Sequence, residues 1–127
     1  MNTLRTGIDL IEINRLERLD PAIRKRFLHR VFTADELEES HGLLPSLAGR
    51  FAAKEAVAKA LGCGIGPISW QEIEVRRGEQ GQPMLKLSGN ASLVAEEQGL
   101  ITWSISISHT REYAVAIAVA TTDHSEK

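Results

Sequence analysis

The sequence predicts an α+β fold in which helices pack on an antiparallel sheet. Helix signals fill the chain up to Gly62, where capping residues and prolines recur, and strand signals fill most of the remainder. In residues 102–108 apolar and polar side chains alternate strictly, as they do in a strand with one buried face. Helices that come early and hairpins that come late are typical of an antiparallel sheet covered by helices.

The first half of the chain contains one short predicted strand, residues 4–9, followed by four helices. The helix starts are marked by side chains that can cap free backbone N–H groups or by proline in the first turn. Gly62 ends the longest helix, because glycine readily adopts the left-handed conformation that terminates helices. The predicted starts are Leu10 after Asp9, with Glu12 completing a capping box; Pro21 after Asp20; Ala34 after Thr33, with Glu36 completing a second capping box; and Pro45.

The second half of the chain is predicted to be mostly strand. Residues 71–77 and 84–88 form a hairpin around a glycine-rich turn, and a short helix follows at residues 90–98. Residues 102–108 and 113–120 then form a second strand pair. In the last strand alanines occupy every second position. We therefore expect a smooth sheet face suited to close packing, which favours assembly with further subunits.

Length and composition indicate one domain. At 127 residues, the chain can bury a core but is short for a complete enzyme cleft. We expect a single domain over residues 1–127, with a polar tail, residues 121–127, that frays. The net charge of −2 argues against a general nucleic-acid binder.

The sequence also predicts the compartment. No apolar run approaches the ~20 residues of a membrane span, so no membrane association is expected. A secretory signal needs a continuous apolar stretch, and Asp9 and Glu12 interrupt the one near the N-terminus. Cys63 is the single cysteine, which excludes an internal disulfide framework and fits a reducing compartment. These features favour the cytoplasm.

Two carboxylates are the strongest candidates for a functional site. Glu55 lies in an alanine-rich helix on one stripe with Phe51 and Lys59, because residues four apart face the same way. Asp9 interrupts an apolar run near the N-terminus. If the fold brings Asp9 to Glu55, the pair can hold a hard divalent cation, with Lys59 placed for a phosphate. Carboxylates without nearby His or Cys suit Mg²⁺.

Each of these residues also has a structural interpretation. Glu55 and Lys59 can be an ordinary helix-stabilising pair worth ~0.2–0.5 kcal/mol, and spacing alone favours that view. Asp9 can be a helix N-cap worth ~1 kcal/mol. The capping and metal-binding roles are compatible, since a capping carboxylate keeps free lone pairs.

Two further features can be either functional or structural. Gly64 and Gly66 follow the central helix and predict a flexible loop whose backbone amides can approach a ligand closely. This is not a dinucleotide fingerprint, which places its glycines between a strand and a helix. His109 at a strand end is either an exposed turn residue or a phosphate contact or proton carrier, because histidine titrates near neutral pH.

Residues 15–30 form a basic segment with a local charge of +4 in a chain of net charge −2. The segment is either a solvated helix face or a docking surface. Phe27 is its single aromatic residue, so base stacking is not favoured. We therefore prefer an acidic protein over nucleic acid as the partner. Its basic residues are Arg15, Arg18, Arg24, Lys25, Arg26 and Arg30.

Three motifs, by their order and spacing, resemble holo-(acyl-carrier-protein) synthase, the short type of 4′-phosphopantetheinyl transferase. The first is residues 7–13 around Asp9, the second is residues 50–62 with a Phe-x-x-Lys-Glu-x-x-x-Lys core, and the third is Ser-Ile-Ser-His-Thr at residues 106–110. The likeness runs roughly from residue 4 to residue 121. One departure is Arg5, where the family often has the first glycine of Gly-x-Gly-x-Asp.

The resemblance implies an activity. It implies transfer of the phosphopantetheine arm from coenzyme A to a serine of an acyl carrier protein, releasing adenosine 3′,5′-bisphosphate, as in fatty acid biosynthesis. It also implies Mg²⁺ held by Asp9 and Glu55 with a coenzyme A phosphate, and Lys59 against the pyrophosphate. A metal-bound water, Glu55 or Lys59 can take the serine proton, and the sequence leaves that choice open. Short-type members are homotrimers with sites at subunit interfaces.

The resemblance also implies ligand and partner contacts. Arg50, His109 and Thr110 match positions near the nucleotide and its 3′-phosphate. The loop from Gly64 to Gly66 would line the pantetheine path. The acidic carrier protein would meet Phe51 and four residues of the basic segment: Arg15, Arg24, Arg26 and Arg30.

A non-catalytic adaptor is the alternative. In that case the basic segment docks acidic partners, and Glu55 with Lys59 is a structural pair. The adaptor predicts no metal-dependent binding of coenzyme A. It also gives no reason for Asp9 and Glu55 to be adjacent, so a structure can distinguish the two.

Overall fold

The structure, a computed structural model, describes residues 2–122. The described chain forms helices and antiparallel strands in the predicted order, which confirms the α+β class. The helices are α1 (Ile13–Glu17), α2 (Pro21–Val31), α3 (Ala34–Ser40), α4 (Leu44–Leu61) and α5 (Gly89–Glu97), with a 3₁₀ turn at Trp70–Glu72. The strands are β1 (Leu4–Glu12), β2 (Ile73–Arg77), β3 (Pro83–Leu87), β4 (Thr102–His109) and β5 (Tyr113–Thr121).

The main sheet has the strand order β1–β5–β4, and both neighbouring pairs are antiparallel. β2 and β3 form a separate hairpin. In the main sheet Asp9 lies opposite Ala116, and Gly7 lies opposite Ala118. Because side chains alternate along a strand, Gly7 and Asp9 share the sheet face of the alanines.

Helix α4 covers the alanine face of the sheet. Ala114, Ala116, Ala118 and Ala120 are at most 1% exposed and belong to the main hydrophobic core with the alanines of α4. The prediction that this face packs against another subunit is therefore wrong. Its small side chains serve instead to let a helix of the same chain come close.

The opposite face of the sheet carries the exposed apolar side chains. Ile8, Leu10 and Ile117 remain 59%, 62% and 41% exposed, and Tyr113 remains 43% exposed. Ile8 and Ile117 are directly opposite each other on β1 and β5. This outer sheet face is the part of the main sheet that α4 leaves uncovered.

Gly7 marks the closest approach of strand and helix. A Cβ atom built on Gly7 would lie far inside the van der Waals contact distance of the Ala56 carbonyl oxygen and against the Ala60 nitrogen. Only glycine allows two backbones to approach in this way. Arg5, two residues earlier, continues the regular strand pairing opposite Ala120, so the departure from the family pattern leaves the strand intact.

The first predicted helix start is wrong. Asp9 lies within β1, which continues to Glu12, and α1 begins at Ile13 with Glu12 as an N-cap whose side chain makes no capping hydrogen bond. Local capping chemistry favoured a helix, but nine residues of β1 pair with β5. The long ladder satisfies the backbone groups of Asp9 and leaves its side chain available.

The remaining helix-end signals are confirmed. The Asp20 carboxylate accepts from the Ala22 N–H. Thr33 and Glu36 form the predicted capping box. Gly62 ends α4 at φ 79°. These signals succeed because they depend on residues within one turn of each other.

At the C-terminal end, β5 extends through Thr121, and Thr122 donates its N–H to the Thr3 carbonyl at 3.1 Å. The first two residues of the expected tail are therefore ordered in the structure, and residues 123–127 lie outside the described residues. Within residues 2–122 no helix combines the length and apolarity needed to cross a bilayer.

Candidate active site

The fold brings Asp9 and Glu55 to one groove. Asp9 projects from the inner face of β1, and Glu55 projects from α4, which packs on that face. Both line a cavity of about 470 Å³ together with Phe51 and Arg15. The other lining residues are apolar and come from β1 and from the α1–α2 region: Leu10, Ile11, Leu16, Leu19, Ile23 and Phe27. We call this cavity the acidic groove.

Lys59 reaches across to β1. Its ammonium donates to the Ile8 carbonyl at 2.8 Å and to the Asp9 carboxylate at 3.3 Å. Its side chain is 54% exposed, whereas that of Asp9 is 18% exposed. The ion pair of Lys59 is therefore with the strand, which is not the arrangement that a simple helix-surface pair with Glu55 would give.

The pKa of Glu55 reflects its partial burial and its charged neighbours Asp9 and Lys59. Burial raises the pKa of Glu55, the neighbouring Asp9 carboxylate raises it further, and Lys59 lowers it in part. The net shift is upward, so the ionised form of Glu55 is disfavoured in the free protein. A cation bound between the two acids would relieve that unfavourable charge.

The donor set suits a magnesium ion. Within residues 2–122 no group of three or more His, Cys, Asp or Glu side chains is arranged so that it could hold a metal ion. A metal held by Asp9 and Glu55 would therefore take only two side-chain ligands from this chain. Mg²⁺ is commonly bound in this way, through one or two carboxylates with waters and substrate phosphates completing its shell.

Arg50 and His109 lie elsewhere, in a second cavity of about 430 Å³ between the start of α4 and the β2–β3 hairpin. Arg50 is 5% exposed; it donates to the Val75 carbonyl at 3.1 Å and pairs with Glu39 at 3.1 Å. Arg76 and Arg77 line the same cavity, which we call the arginine cavity. Glu39 already pairs with Arg50 and Arg76, so an anion bound here would compete with that carboxylate for the two arginines.

Thr110 and the two loop glycines lie outside both cavities. Thr110 shares a shallow depression with His109 and Leu10. A Cβ atom at Gly64 or Gly66 would meet nothing within 4 Å, and Gly66 adopts φ 142°. The loop after α4 is therefore open on the side where a ligand chain could lie.

The basic segment is exposed in part. Arg15, Arg26 and Arg30 are exposed, and Arg15 lines the acidic groove. Arg24 instead donates to the Leu16 and Glu17 carbonyls at 3.4 and 3.1 Å. Arg24 thus holds the corner between α1 and α2, a structural role that the sequence did not indicate.

Phe51 forms part of an aromatic wall of the acidic groove. Its ring lies 5.5 Å from that of Phe27 and 5.0 Å from that of Trp70, measured between ring centroids. Phe51 therefore presents a fixed apolar surface one helical turn before Glu55.

Lys54 and Glu36 form a buried pair that the sequence did not indicate. Both side chains are fully buried, and the Lys54 ammonium lies 2.8 Å from the Glu36 carboxylate. Burial lowers the pKa of Lys54, and the Glu36 carboxylate offsets part of that shift. A charged residue among the buried alanines of α4 was the available signal, but the capping box explained Glu36 locally and concealed its distant partner.

Comparisons with known proteins identify the family of the chain. A model of the 4′-phosphopantetheinyl transferase superfamily matches residues 5–118. A holo-[acyl-carrier-protein] synthase of Moorella thermoacetica is 46% identical over 98% of both chains. The crystal structure of a Helicobacter pylori holo-[acyl-carrier-protein] synthase in complex with coenzyme A has a TM-score of 0.82 at 32% identity, covering 91% of this chain and 98% of that one.

A second solved structure is similar. It is a Bacillus anthracis holo-(acyl-carrier-protein) synthase in complex with CoA (3′,5′-ADP), with a TM-score of 0.75, 38% identity, and coverage of 94% of this chain and 96% of that one. The chain therefore belongs to the 4′-phosphopantetheinyl transferase superfamily and is an enzyme. Within that superfamily its relatives are the holo-[acyl-carrier-protein] synthases, as the three motifs of the sequence predicted.

Proposed function

We propose that the protein transfers the 4′-phosphopantetheine group from coenzyme A to a serine of an apo acyl carrier protein. The products are holo acyl carrier protein and adenosine 3′,5′-bisphosphate, and the reaction depends on Mg²⁺. The observation that carries the proposal is the meeting of Asp9 and Glu55 at one groove, with Lys59 bonded to Asp9, in a chain similar to enzymes solved with coenzyme A. An adaptor gives no reason for that meeting.

The reaction is a displacement at phosphorus. The serine hydroxyl oxygen forms a bond to the phosphorus that bears the pantetheine arm, and the bond from that phosphorus to the bridging oxygen of the diphosphate breaks. The serine proton would pass to Glu55, to Lys59 or to a water held by the metal. Negative charge builds on the departing nucleotide phosphate, and Lys59 is placed to stabilise it. Asp9 and Glu55 would hold the Mg²⁺, which when bound neutralises the diphosphate.

The acyl carrier protein would dock at the acidic groove. Exposed Arg15, Arg26 and Arg30 supply positive charge for an acidic partner, and Phe51 supplies an apolar contact beside Glu55. Arg24 contributes by holding the α1–α2 corner in addition to any partner contact. The serine would then enter the groove at the end where the two carboxylates lie.

The coenzyme A would span two regions. Its nucleotide would occupy the arginine cavity, where Arg50 and His109 lie, with Thr110 at its edge, and its pantetheine would follow the loop from Gly64 to Gly66. The acidic groove and the arginine cavity share no lining residue. We therefore propose that each complete site combines the groove of one subunit with the cavity of another.

The proposed assembly is a homotrimer. Its physical support is the outer sheet face, where Ile8, Leu10, Tyr113 and Ile117 leave apolar surface uncovered, and such patches mark interaction sites. Sedimentation of the wild-type protein at micromolar concentration should give a trimer, and Ile117→Glu should give an inactive monomer. Leu93→Glu, at a position on α5 that is 56% exposed, should remain trimeric. A stable, active wild-type monomer would contradict the proposal.

We place the reaction in the cytoplasm and in lipid metabolism, where carrier proteins of fatty acid biosynthesis need the phosphopantetheine arm. The test is mass spectrometry of an apo acyl carrier protein incubated with coenzyme A, Mg²⁺ and the enzyme. We expect the carrier to gain one phosphopantetheine. A carrier whose acceptor serine is replaced by alanine, and a reaction with chelator, should gain nothing. An unmodified carrier under saturating conditions would refute the function.

A further inference from the structure

We propose that Lys54 is a positioning residue. Its buried ion pair with Glu36 fixes the rotation of α4 and thereby holds Glu55 opposite Asp9, with Phe51 against the groove. This inference rests on the proposed function, which supplies the reason for Glu55 to need a fixed place.

The ammonium of Lys54 is fully satisfied by three acceptors. It donates to the Glu36 carboxylate at 2.8 Å, to the Trp70 carbonyl at 3.1 Å and to the Ile73 carbonyl at 2.6 Å. A lysine ammonium carries three N–H donors, so none is left over. The three acceptors come from α3, the 3₁₀ turn and β2, and contacts from three elements prevent α4 from turning about its axis.

Glu36 is bound as completely as its partner. One carboxylate oxygen accepts from the Thr33 N–H at 2.9 Å and from Lys54. The other accepts from the Val75 N–H at 2.7 Å. The carboxylate thus joins the start of α3 to β2, and Lys54 joins α4 to both.

Two routes connect this pair to the acidic groove. Lys54 and Glu55 are consecutive on one rigid helix, so a rotation that displaces one displaces the other. In addition, Lys54 holds the Trp70 carbonyl, and the Trp70 ring packs on Phe51. Phe51 lies one turn before Glu55 and lines the same groove.

Stability alone is a weak reason for this arrangement. Burying two charges is expensive, and apolar replacement of a buried ion pair is often neutral or stabilising. Asp9 and Glu55 carry like charges that repel each other and cannot hold the helix in place. On the groove side Lys59 donates to the Ile8 carbonyl and the Asp9 carboxylate, and the buried pair adds hydrogen bonds to three further elements that fix the rotation of α4.

The experiment compares a neutral double variant with the wild-type protein. Lys54→Met alone leaves Glu36 as a buried, unpaired charge and is prone to unfold, so the test uses Lys54→Met with Glu36→Gln. Lys54→Arg keeps the charge and serves as the conservative variant. Leu100→Ala, at a core position that is 3% exposed, serves as a control for general destabilisation.

Three measurements are made on each variant: Mn²⁺ binding by electron paramagnetic resonance in the presence of coenzyme A, the kcat and KM for coenzyme A, and nuclear Overhauser contacts between Phe51 and Trp70. Loss of a residue that orients a metal ligand typically changes metal affinity or activity by about 10–100-fold. We expect the folded double variant to bind Mn²⁺ at least about ten-fold more weakly, with a similar fall in kcat.

The same variant should lose the Phe51–Trp70 contacts while its KM for coenzyme A stays close to that of the wild type. Lys54→Arg should recover part of each loss, and Leu100→Ala should leave all three measurements near wild type. A double variant with wild-type Mn²⁺ affinity, or equal losses in Leu100→Ala, would overturn the proposal. An inactive wild-type protein would refute the function, whereas the ring contacts and Mn²⁺ binding would still decide the role of Lys54.

Discussion

The two sides of helix α4 carry charges in opposite arrangements. On the side facing β1, Glu55 and Lys59 are partly exposed, and Glu55 lies beside the like charge of Asp9. On the side facing the hairpin, Lys54 and Arg50 are buried, and each is paired with a glutamate. One helix therefore presents an unbalanced acidic pair in one direction and neutralised ion pairs in the other.

For Glu55 and Lys54, this difference separates a charge that is available to a ligand from a charge that fixes the architecture. Charges that the protein neutralises itself fix its architecture, because removing one partner leaves the other buried and unpaired. Charges that remain unbalanced are available to a ligand, and they reduce the stability of the free protein. The two sides should thus respond to substitution in different ways.

The largest expected effect falls on stability at the hairpin side. Lys54→Met removes one partner of a fully buried ion pair and leaves Glu36 uncompensated, which typically lowers the free energy of unfolding by about 3–5 kcal/mol. Urea unfolding measures the change. Lys86→Met on β3, where the lysine is exposed, should change stability by less than about 0.5 kcal/mol. Equal effects for the two variants would contradict the comparison.

The next effect falls on activity at the strand side. Asp9→Asn and Glu55→Gln should each reduce transfer on the order of 10²-fold or more, because each removes a carboxylate proposed to hold the Mg²⁺ that would stabilise charge on the reacting phosphates. Neither should unfold the protein, and Glu55→Gln should be at least as stable as wild type, since its carboxylate is disfavoured in the folded state. Thermal unfolding and transfer rates test both statements, with exposed Glu96→Gln as the control. Near-wild-type turnover in either site variant at saturating Mg²⁺ would exclude a shared metal site.

A smaller effect should appear in the pH dependence of stability. Burial raises the pKa of Glu55 above its ordinary value of 4.5, with Asp9 adding to the shift. Native Glu55 therefore binds its proton at a higher pH than the unfolded chain does. Its contribution to stability is fully present below pH 4.5 and is lost as the pH rises through its folded pKa.

Glu39 on the hairpin side should behave in the opposite sense. Burial alone would raise its pKa, but hydrogen bonds from Arg76, the Arg77 N–H and Arg50 together lower it below 4.5. Its contribution is present above pH 4.5 and is lost as the pH falls through its folded pKa. Unfolding should be measured from pH 7 to pH 3. The loss of stability with rising pH that Glu55 causes should vanish in Glu55→Gln, and the loss with falling pH that Glu39 causes should vanish in Glu39→Gln. Unchanged profiles in both variants would contradict the assignment.

The smallest effect concerns the basic segment. Arg15→Glu and Arg26→Glu should each raise the KM for the acyl carrier protein several-fold and hardly change the KM for coenzyme A, because rim charges act mainly on association. Added salt should reduce the wild-type advantage, since the Debye screening length is only ~8 Å at physiological ionic strength and falls further as salt is added. Lys86→Glu is the matched reversal on β3. Equal losses for both substrates, or no salt dependence, would show that the segment is only a solvated face.

The sequence predicted the parts of the fold that depend on near neighbours. The caps at Asp20, Thr33 and Gly62 and the alternation of β4 and β5 are confirmed. The prediction from sequence was wrong where the conformation or packing of a residue depends on an element distant in the chain. Asp9 is a strand residue because β5 pairs with it, and the alanines of β5 meet α4 and not another subunit.

In the candidate site, too, the sequence predicted what depends on near neighbours and missed what depends on distant residues. Spacing placed Glu55 and Lys59 on one helix stripe, but no pattern in the chain states that Asp9 lies across from them. The pairing of Lys54 with Glu36 was missed because the two residues are 18 positions apart and each has an ordinary local explanation. Family motifs supplied what local rules could not, since they record residues that meet only in the folded chain.

The contact at Gly7 has a consequence for how the groove can vary. There β1 and α4 touch backbone to backbone, so the gap between them is set by peptide groups, which are the same in every sequence. Substitutions elsewhere in the core can change how well the alanine face is filled without changing that gap. The distance between Asp9 and Glu55 is therefore little affected by substitutions in the core. A designer can change the residues that line the groove without changing the separation of the two acids.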